Sequence, residues 1–284
     1  MISNRSNAMM RSCFAAIALA PTLGSAALIH RYDFEADAND SVGTAHGTIY
    51  GSATISTGGI YSGGSGINGT LNAGVPSNGV GIPGAAVSGI TGSFTVEAWI
   101  QAAFGGGYTT AFSFSNGTTG NYLLATPARG NAPYASTVAM IGAGGGTSEL
   151  QAAGRWSDNN ELIHMIATYD GTNLTYYQNA QTDLAGFNTA NTLSATINNP
   201  GFNLSTLTQI GINGGAPWPD SSMNGRVFDF RIYDSSLNAG QVSQLFSLGS
   251  NATNSQIAAV VPEPATVGLL GMAAVGLLRR RRVF

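Results

Sequence analysis

The heptapeptide Phe94-Thr95-Val96-Glu97-Ala98-Trp99-Ile100 alternates without a break. Successive side chains of an extended strand point to opposite faces. Phe94, Val96, Ala98 and Ile100 therefore share one face, and Thr95, Glu97 and Trp99 the other. A helix would scatter both sets around its circumference, so this period commits the segment to a strand. Residues 162–169 form a second, mostly apolar run that ends in Asp170-Gly171, a hairpin-turn pair, and residues 174–178 make the return strand. Residues 227–233 alternate again, with Phe228, Phe230 and Ile232 inward and Asp229, Arg231 and Tyr233 outward. Only residues 238–248 read as a short helix, with Val242, Leu245 and Phe246 at i, i+3 and i+4. No crossover helices separate the strands, which excludes a parallel α/β sheet. The expectation is an all-β, two-sheet antiparallel sandwich.

The two ends of the chain follow different rules. Arg5 and Arg11 precede an apolar stretch over residues 13–23, and small residues Gly24, Ser25, Ala26 and Ala27 come next. Basic, apolar and small in that order predicts a secretory signal peptide over residues 1–27, cut after Ala26 or Ala27 by signal peptidase. Cys13 leaves with it, so the exported chain has no cysteine and disulfides cannot stabilise it. Residues 261–284 carry Pro262-Glu263-Pro264, an uncharged apolar run over residues 265–278, and four consecutive arginines. That run is shorter than the roughly 17–25 residues of a spanning helix. The arginines are retained on the cytoplasmic side by their charge, so the tail is expected to hold a nearly exported chain at the inner membrane.

This order and spacing resemble the PEP-CTERM sorting signal of Gram-negative bacteria. The resemblance implies recognition and cleavage by an exosortase near Pro262, Glu263 and Pro264, in organisms that make exopolysaccharide. It also implies transient inner-membrane contact through a short apolar helix, then a place at the cell surface or in the extracellular matrix. The alternative is an ordinary C-terminal membrane anchor. Between the two signals, residues 28–261 hold five arginines, no lysine and thirteen acidic residues, a formal charge of −8. So acidic a chain is a poor partner for nucleic acid or anionic lipid. Its length suits one sandwich over residues 28–249, with Gly-rich loops at residues 58–69 and 142–146 and a spacer over residues 250–260.

Four blocks of sequence carry a second resemblance. Tyr32-Asp33-Phe34-Glu35 with Asp40 and His46-Gly47 looks like the opening strand and turn of a laminin-G-like, concanavalin A-type jelly roll. Residues 92–99 resemble that family's Ser-Phe-Thr-x-x-x-Trp strand, and residues 164–171 its His-x-x-x-Thr-Tyr-Asp-Gly hairpin. Asn224-Gly225, then residues 230–233 and Leu237, resemble its closing strand and turn. The resemblance implies a jelly roll whose concave face meets a glycan or a protein in many relatives. It also implies a structural calcium between first and last strands, for which Glu35, Asp40 and Asp229 are the candidate ligands. Two departures stand out. Asn179-Ala180 replaces the expected Asp-Gly, and Phe228 stands where relatives carry the acid, with Asp229 one residue off. The competing reading pairs these carboxylates with Arg31 and Arg231.

Motifs for chemistry are sparse. Residues 64–69 fit G-x-G-x-x-G but lie in a Gly-rich loop, outside any βαβ unit. His30, His46 and His164 have no zinc spacing, and no G-x-S-x-G turn is present. A glycoside hydrolase needs two carboxylates a few ångströms apart, and Glu97 has no placed partner. Sugar rings stack apolar C–H faces on aromatic rings while hydroxyls seek polar edges. Trp99 with Glu97, Trp156 with Asp158, and Trp218 between Pro217 and Pro219 offer that combination. The competing reading buries Trp99 in the core and packs Trp156 under a loop. The function expected is a non-enzymatic, exported module binding extracellular polysaccharide or a surface protein. A ligand-free matrix protein and a glycan hydrolase or lyase stand as alternatives.

Overall fold

The computed structural model describes residues 26–62, 78–102, 108–128, 136–142, 150–153, 161–179, 196–214, 217–218 and 220–262. In chain order come β1 (Leu28–Tyr32), β2 (Thr48–Tyr50), β3 (Thr54–Ser56), β4 (Gly59–Tyr61) and β5 (Gly79–Ile82). Next are β6 (Phe94–Ala102), β7 (Phe112–Ser115), β8 (Tyr122–Thr126), β9 (Thr137–Ile141) and β10 (Leu150–Ala153). The chain continues through β11 (Leu162–Tyr169), β12 (Asn173–Gln178), β13 (Thr196–Asn198), β14 (Gln209–Ile212) and β15 (Gly225–Tyr233). Two helices follow, α1 (Ala239–Leu248) and α2 (Asn254–Val260).

These strands form two antiparallel sheets. The first runs β13-β12-β11-β6-β15-β4-β3, with β1 also on β15, and the second runs β10-β9-β8-β7-β14-β5-β2. The predicted faces of β6 are the observed ones. Phe94, Val96, Ala98 and Ile100 enter the core between the sheets, with Phe112 and Phe114 of β7, Leu123 of β8 and Ile210 of β14. Phe230 closes the contact, its ring 5.4 Å from Phe112 and 6.2 Å from Phe114. Burying each such ring stabilises the fold by about 1.5–3 kcal/mol relative to exposure.

The hairpins follow local turn chemistry. Thr57 and Gly58 both adopt positive φ, 56° and 70°, which is the backbone a two-residue turn between β3 and β4 requires. At Asp170-Gly171 the predicted hairpin forms, and the Asp170 carboxylate accepts the amides of Thr172 and Asn173 at 2.8 and 2.7 Å.

Two expectations are corrected. Phe228 does not point inward, because β15 carries a β-bulge against β6. Val227 lies opposite Ile100 and Asp229 opposite Trp99, so Phe228 is the extra residue and is only half-buried. Val227 fills the core position instead. The bulge breaks the alternation ahead of Asp229, so Val227 and Phe230 both face the core, while Asp229, Arg231 and Tyr233 keep the outward face that the sequence predicts. Residues 250–260 are not a bare spacer either. Residues 254–260 form α2, started by a capping box between Thr253 and Gln256. Ile257 and Val261 pack with Val242 and Leu245 of α1, and with Ala26, Leu28, Ile166 and Tyr233, in a second core on the outer side of the first sheet.

Candidate functional site

That second core covers the face of β6 that carries Thr95, Glu97 and Trp99. Phe246 of α1 lies parallel to Trp99, ring centres 6.0 Å apart and planes 5° apart, and His164 stacks on Trp99 at 4.3 Å. Trp99 and Glu97 are therefore buried, and a role for either in touching a ligand at the surface is corrected. The helix supplies the reason: its apolar side has no other sheet to cover.

Beneath α1 and α2 lies a buried network of charge. Arg231 donates from Nη1 to Glu97 Oε1 at 2.7 Å and from Nη2 to Asp229 Oδ2 at 2.6 Å. Arg31 donates to the same Asp229 oxygen from Nη2 at 2.9 Å and from Nε at 3.2 Å. Glu97 Oε1 also accepts from His164 Nε2 at 2.9 Å and Trp99 Nε1 at 3.2 Å, and Tyr233 Oη donates to Oε2. Burial opposes the charge on Glu97, yet Arg231 together with the His164 and Tyr233 bonds outweighs it and lowers the carboxyl to about 2. Burial pushes Asp229 up, against the pull of Arg231 and Arg31. It also sets the Tyr233 hydroxyl well above its ordinary value, with the Glu97 charge adding to the effect. A carboxylate that keeps its charge and never meets water has no proton to exchange with a substrate. The network ties strands together.

The proposed calcium ligands do not converge. Asp229 faces two guanidinium groups, which occupy the positions a cation would take. Asp40 accepts the amides of Arg31, Val42, Gly43 and Ala45 and bonds His30 Nδ1 at 2.6 Å, which makes it the cap of its own loop. Burial opposes its charge, but those bonds hold its carboxyl below the ordinary value. Glu35 is exposed, and no group of three acidic or histidine side chains able to hold a metal occurs among the described residues. This donor set does not fit calcium, which takes six to eight oxygens.

The outer face of the second sheet is different. Cross-strand register lines up Gln209, Ser115, Tyr122 and Ile141 in one row and Gly211, Ser113, Leu124 and Ala139 in the next. Trp218 stands against Tyr122 edge-on, ring centres 6.3 Å apart and planes at 87°. The indole is nonetheless 38% exposed. Ser113 Oγ and Gln209 Oε1 are buried with no hydrogen-bond partner among the described residues. Buried polar atoms without partners are uncommon and mark places where a bound polar group or water completes the set. Sequence reasoning singled out Trp218 but missed Ser113 and Gln209. The alternation Phe112-Ser113-Phe114-Ser115 was the available signal for the first of them.

Trp156, Asp158, Glu263 and Pro264 lie outside the described residues, as do residues 64–69. Pro262 is half-buried. Ala27 joins the sheet edge, its amide donating to Asp234 Oδ1 at 2.7 Å and its carbonyl accepting from the Asp234 amide at 3.1 Å.

Solved structures share this architecture. Domain 4 of an extracellular arabinanase from Geobacillus stearothermophilus, in complex with arabinotriose, is 20% identical with a TM-score of 0.51. The match covers 78% of this chain and 98% of that one. Botulinum neurotoxin type C, which depends on two ganglioside molecules to get into cells, is 16% identical with a TM-score of 0.55, over 78% of this chain and 51% of that one. A Trypanosoma rangeli sialidase is 16% identical with a TM-score of 0.50, over 78% of this chain and 32% of that one. At these identities the likeness is one of fold. No curated protein sequence matches the chain. The PEP-CTERM protein-sorting motif matches residues 260–282 and marks an exported protein processed at the membrane. The model of the concanavalin A-like lectin/glucanases superfamily matches residues 72–243, more than half of the sequence, and agrees with the two antiparallel sheets, so this chain belongs to that superfamily.

Proposed function

We propose that this protein is an exported, non-enzymatic carbohydrate-binding module of the cell envelope or exopolysaccharide matrix. Trp218 is the contact residue on the outer face of the second sheet. The observation that carries this reading is an indole held edge-on by Tyr122 yet open to solvent, on the outer face of the second sheet. An aromatic face of this kind stacks on the C–H face of a sugar. Relatives of the same fold solved with arabinotriose or dependent on gangliosides support the ligand class. Before delivery, the tail holds the chain at the inner membrane, where an exosortase processes it near Pro262, Glu263 and Pro264. The hydrolase reading is weaker, because Glu97 and Asp229 share Arg231 and neither reaches solvent.

Retention of purified protein on the host's own polysaccharide tests the site. Trp218→Ala is expected to lower retention at least about tenfold, since loss of a stacking contact of roughly 1.5 kcal/mol has that effect. Its unfolding midpoint should stay close to the parent's. Equal retention of both proteins would refute the assignment, and release of reducing ends from the polysaccharide would favour a hydrolase. Intact mass of the protein recovered from its host reads out both processed ends.

A further inference from the structure

The sorting tail leaves the folded domain with almost no slack. Val261 is 1% exposed in the second core, and the apolar run of the tail begins at Ala265. Four Cα steps separate them, at most roughly 14 Å when fully extended. The headgroup layer on one side of a bilayer takes up about 5–7 Å of that. The remainder is smaller than the roughly 10 Å diameter of a single helix. A domain tethered this way must present to the bilayer the face from which Val261 emerges.

The helices of that face carry no charge, although the exposed Asp234, which accepts the Ala27 amide, lies at its edge. From Ser235 to Pro262 the sequence holds no Asp, Glu, Lys, Arg or His, in a chain whose exported part carries a formal charge of −8. Both α1 and α2 lie in this uncharged segment. Phe246 of α1 is 38% exposed, with exposed Ser243, Gln244 and Ser247 beside it. Other faces would bring carboxylates toward anionic lipid, which repels them. We propose that while the tail is inserted, the α1–α2 face rests against the lipid bilayer, with Phe246 at headgroup level. The tether supplies the attraction, and the uncharged α1–α2 segment lowers the repulsion. This rests on the tail being held in the membrane, as proposed above.

The test uses residues 27–284, the chain left after signal cleavage, which has no cysteine of its own, reconstituted into vesicles of phosphatidylethanolamine and phosphatidylglycerol that contain a lipid with a headgroup nitroxide. A bimane label is placed at Gln244→Cys on α1, or at Thr118→Cys in the turn between β7 and β8; both positions are exposed. Quenching is expected to be several-fold stronger at 244 than at 118. Inserting about twelve Gly/Ser residues between Val261 and Pro262, which adds roughly 20 Å of flexible reach, should erase the difference. Equal quenching at both positions in protein that resists carbonate extraction overturns this proposal alone. Protein that carbonate extracts from the vesicles overturns the tail reading and this proposal with it.

Discussion

Arg231 donates to two acids at once, and both lie where water does not reach. Removing one partner of such a set is far more harmful than the net worth of the pair, because the other charge stays buried and uncompensated. Arg231→Met is expected to lower unfolding stability by about 3–5 kcal/mol, read from urea denaturation. Adding Glu97→Gln to that variant neutralises the stranded carboxylate and should restore part of the loss. Strict additivity of the two changes would show that they do not communicate. From the sequence, Glu97, Trp99 and Arg231 were assigned to the correct faces of their strands. The burial of Trp99 was legible as one of two readings, and that of Glu97 and Arg231 was not, because alternation gives the side of a sheet a residue faces and says nothing of what lies over it.

At the scale of elements, one inserted residue and one short helix carried most of the surprise. An unbroken period of two puts Phe228 inside and sets Asp229 apart from the acid position of relatives. The bulge at Val227 and Asp229 moves Phe228 out and leaves Asp229 between Arg31 and Arg231. Nothing local signals that bulge. The helix α2 was different, since its start was written in the sequence as Thr253 followed three residues later by Gln256. Thr253→Ala is expected to lower stability by about 1 kcal/mol through loss of the cap. Ile257→Ala, which empties a fully buried position, should cost about 2–5 kcal/mol. Both are read as shifts in urea midpoint, and a neutral Ile257→Ala would mean that α2 is not seated as described.

For the whole molecule, the charge network links stability to pH. The Glu97 carboxyl lies at about 2 in the folded chain against an ordinary 4.5, so it is depressed. A depressed acid stabilises the fold above its ordinary value, and that contribution disappears as pH falls through the folded one. For Glu97 the window runs from about 4.5 down to about 2 and is worth on the order of 3 kcal/mol. Asp40, lowered by its loop bonds against the opposing effect of burial, acts in the same sense. Asp229, raised by burial, acts in the opposite sense and offsets part of the loss. Urea midpoints at pH 7 and pH 3 should differ, with the acid sample weaker; an unchanged midpoint would contradict the ionised Glu97. Because guanidinium groups face Asp229, exchanging calcium for a chelator should move the melting temperature by less than about 1 °C, a shift far below that of a site worth several kcal/mol.

The chain alone determined the strands β6, β11, β12 and β15, the hairpin between β11 and β12, the first helix and the sorting motif near its C-terminal end. Each of these is set by side-chain alternation, turn residues or short-range order that neighbours along the chain enforce. Packing between distant segments decided the rest. Arg31 and Asp229 meet across 198 residues of sequence, and α1 and α2 cover a face whose pattern already looked complete. Whether an indole is a core residue or a binding surface depends on what comes to lie over it. Trp99 was covered by a helix, Trp218 was left open, and only the assembled sheets could make that distinction.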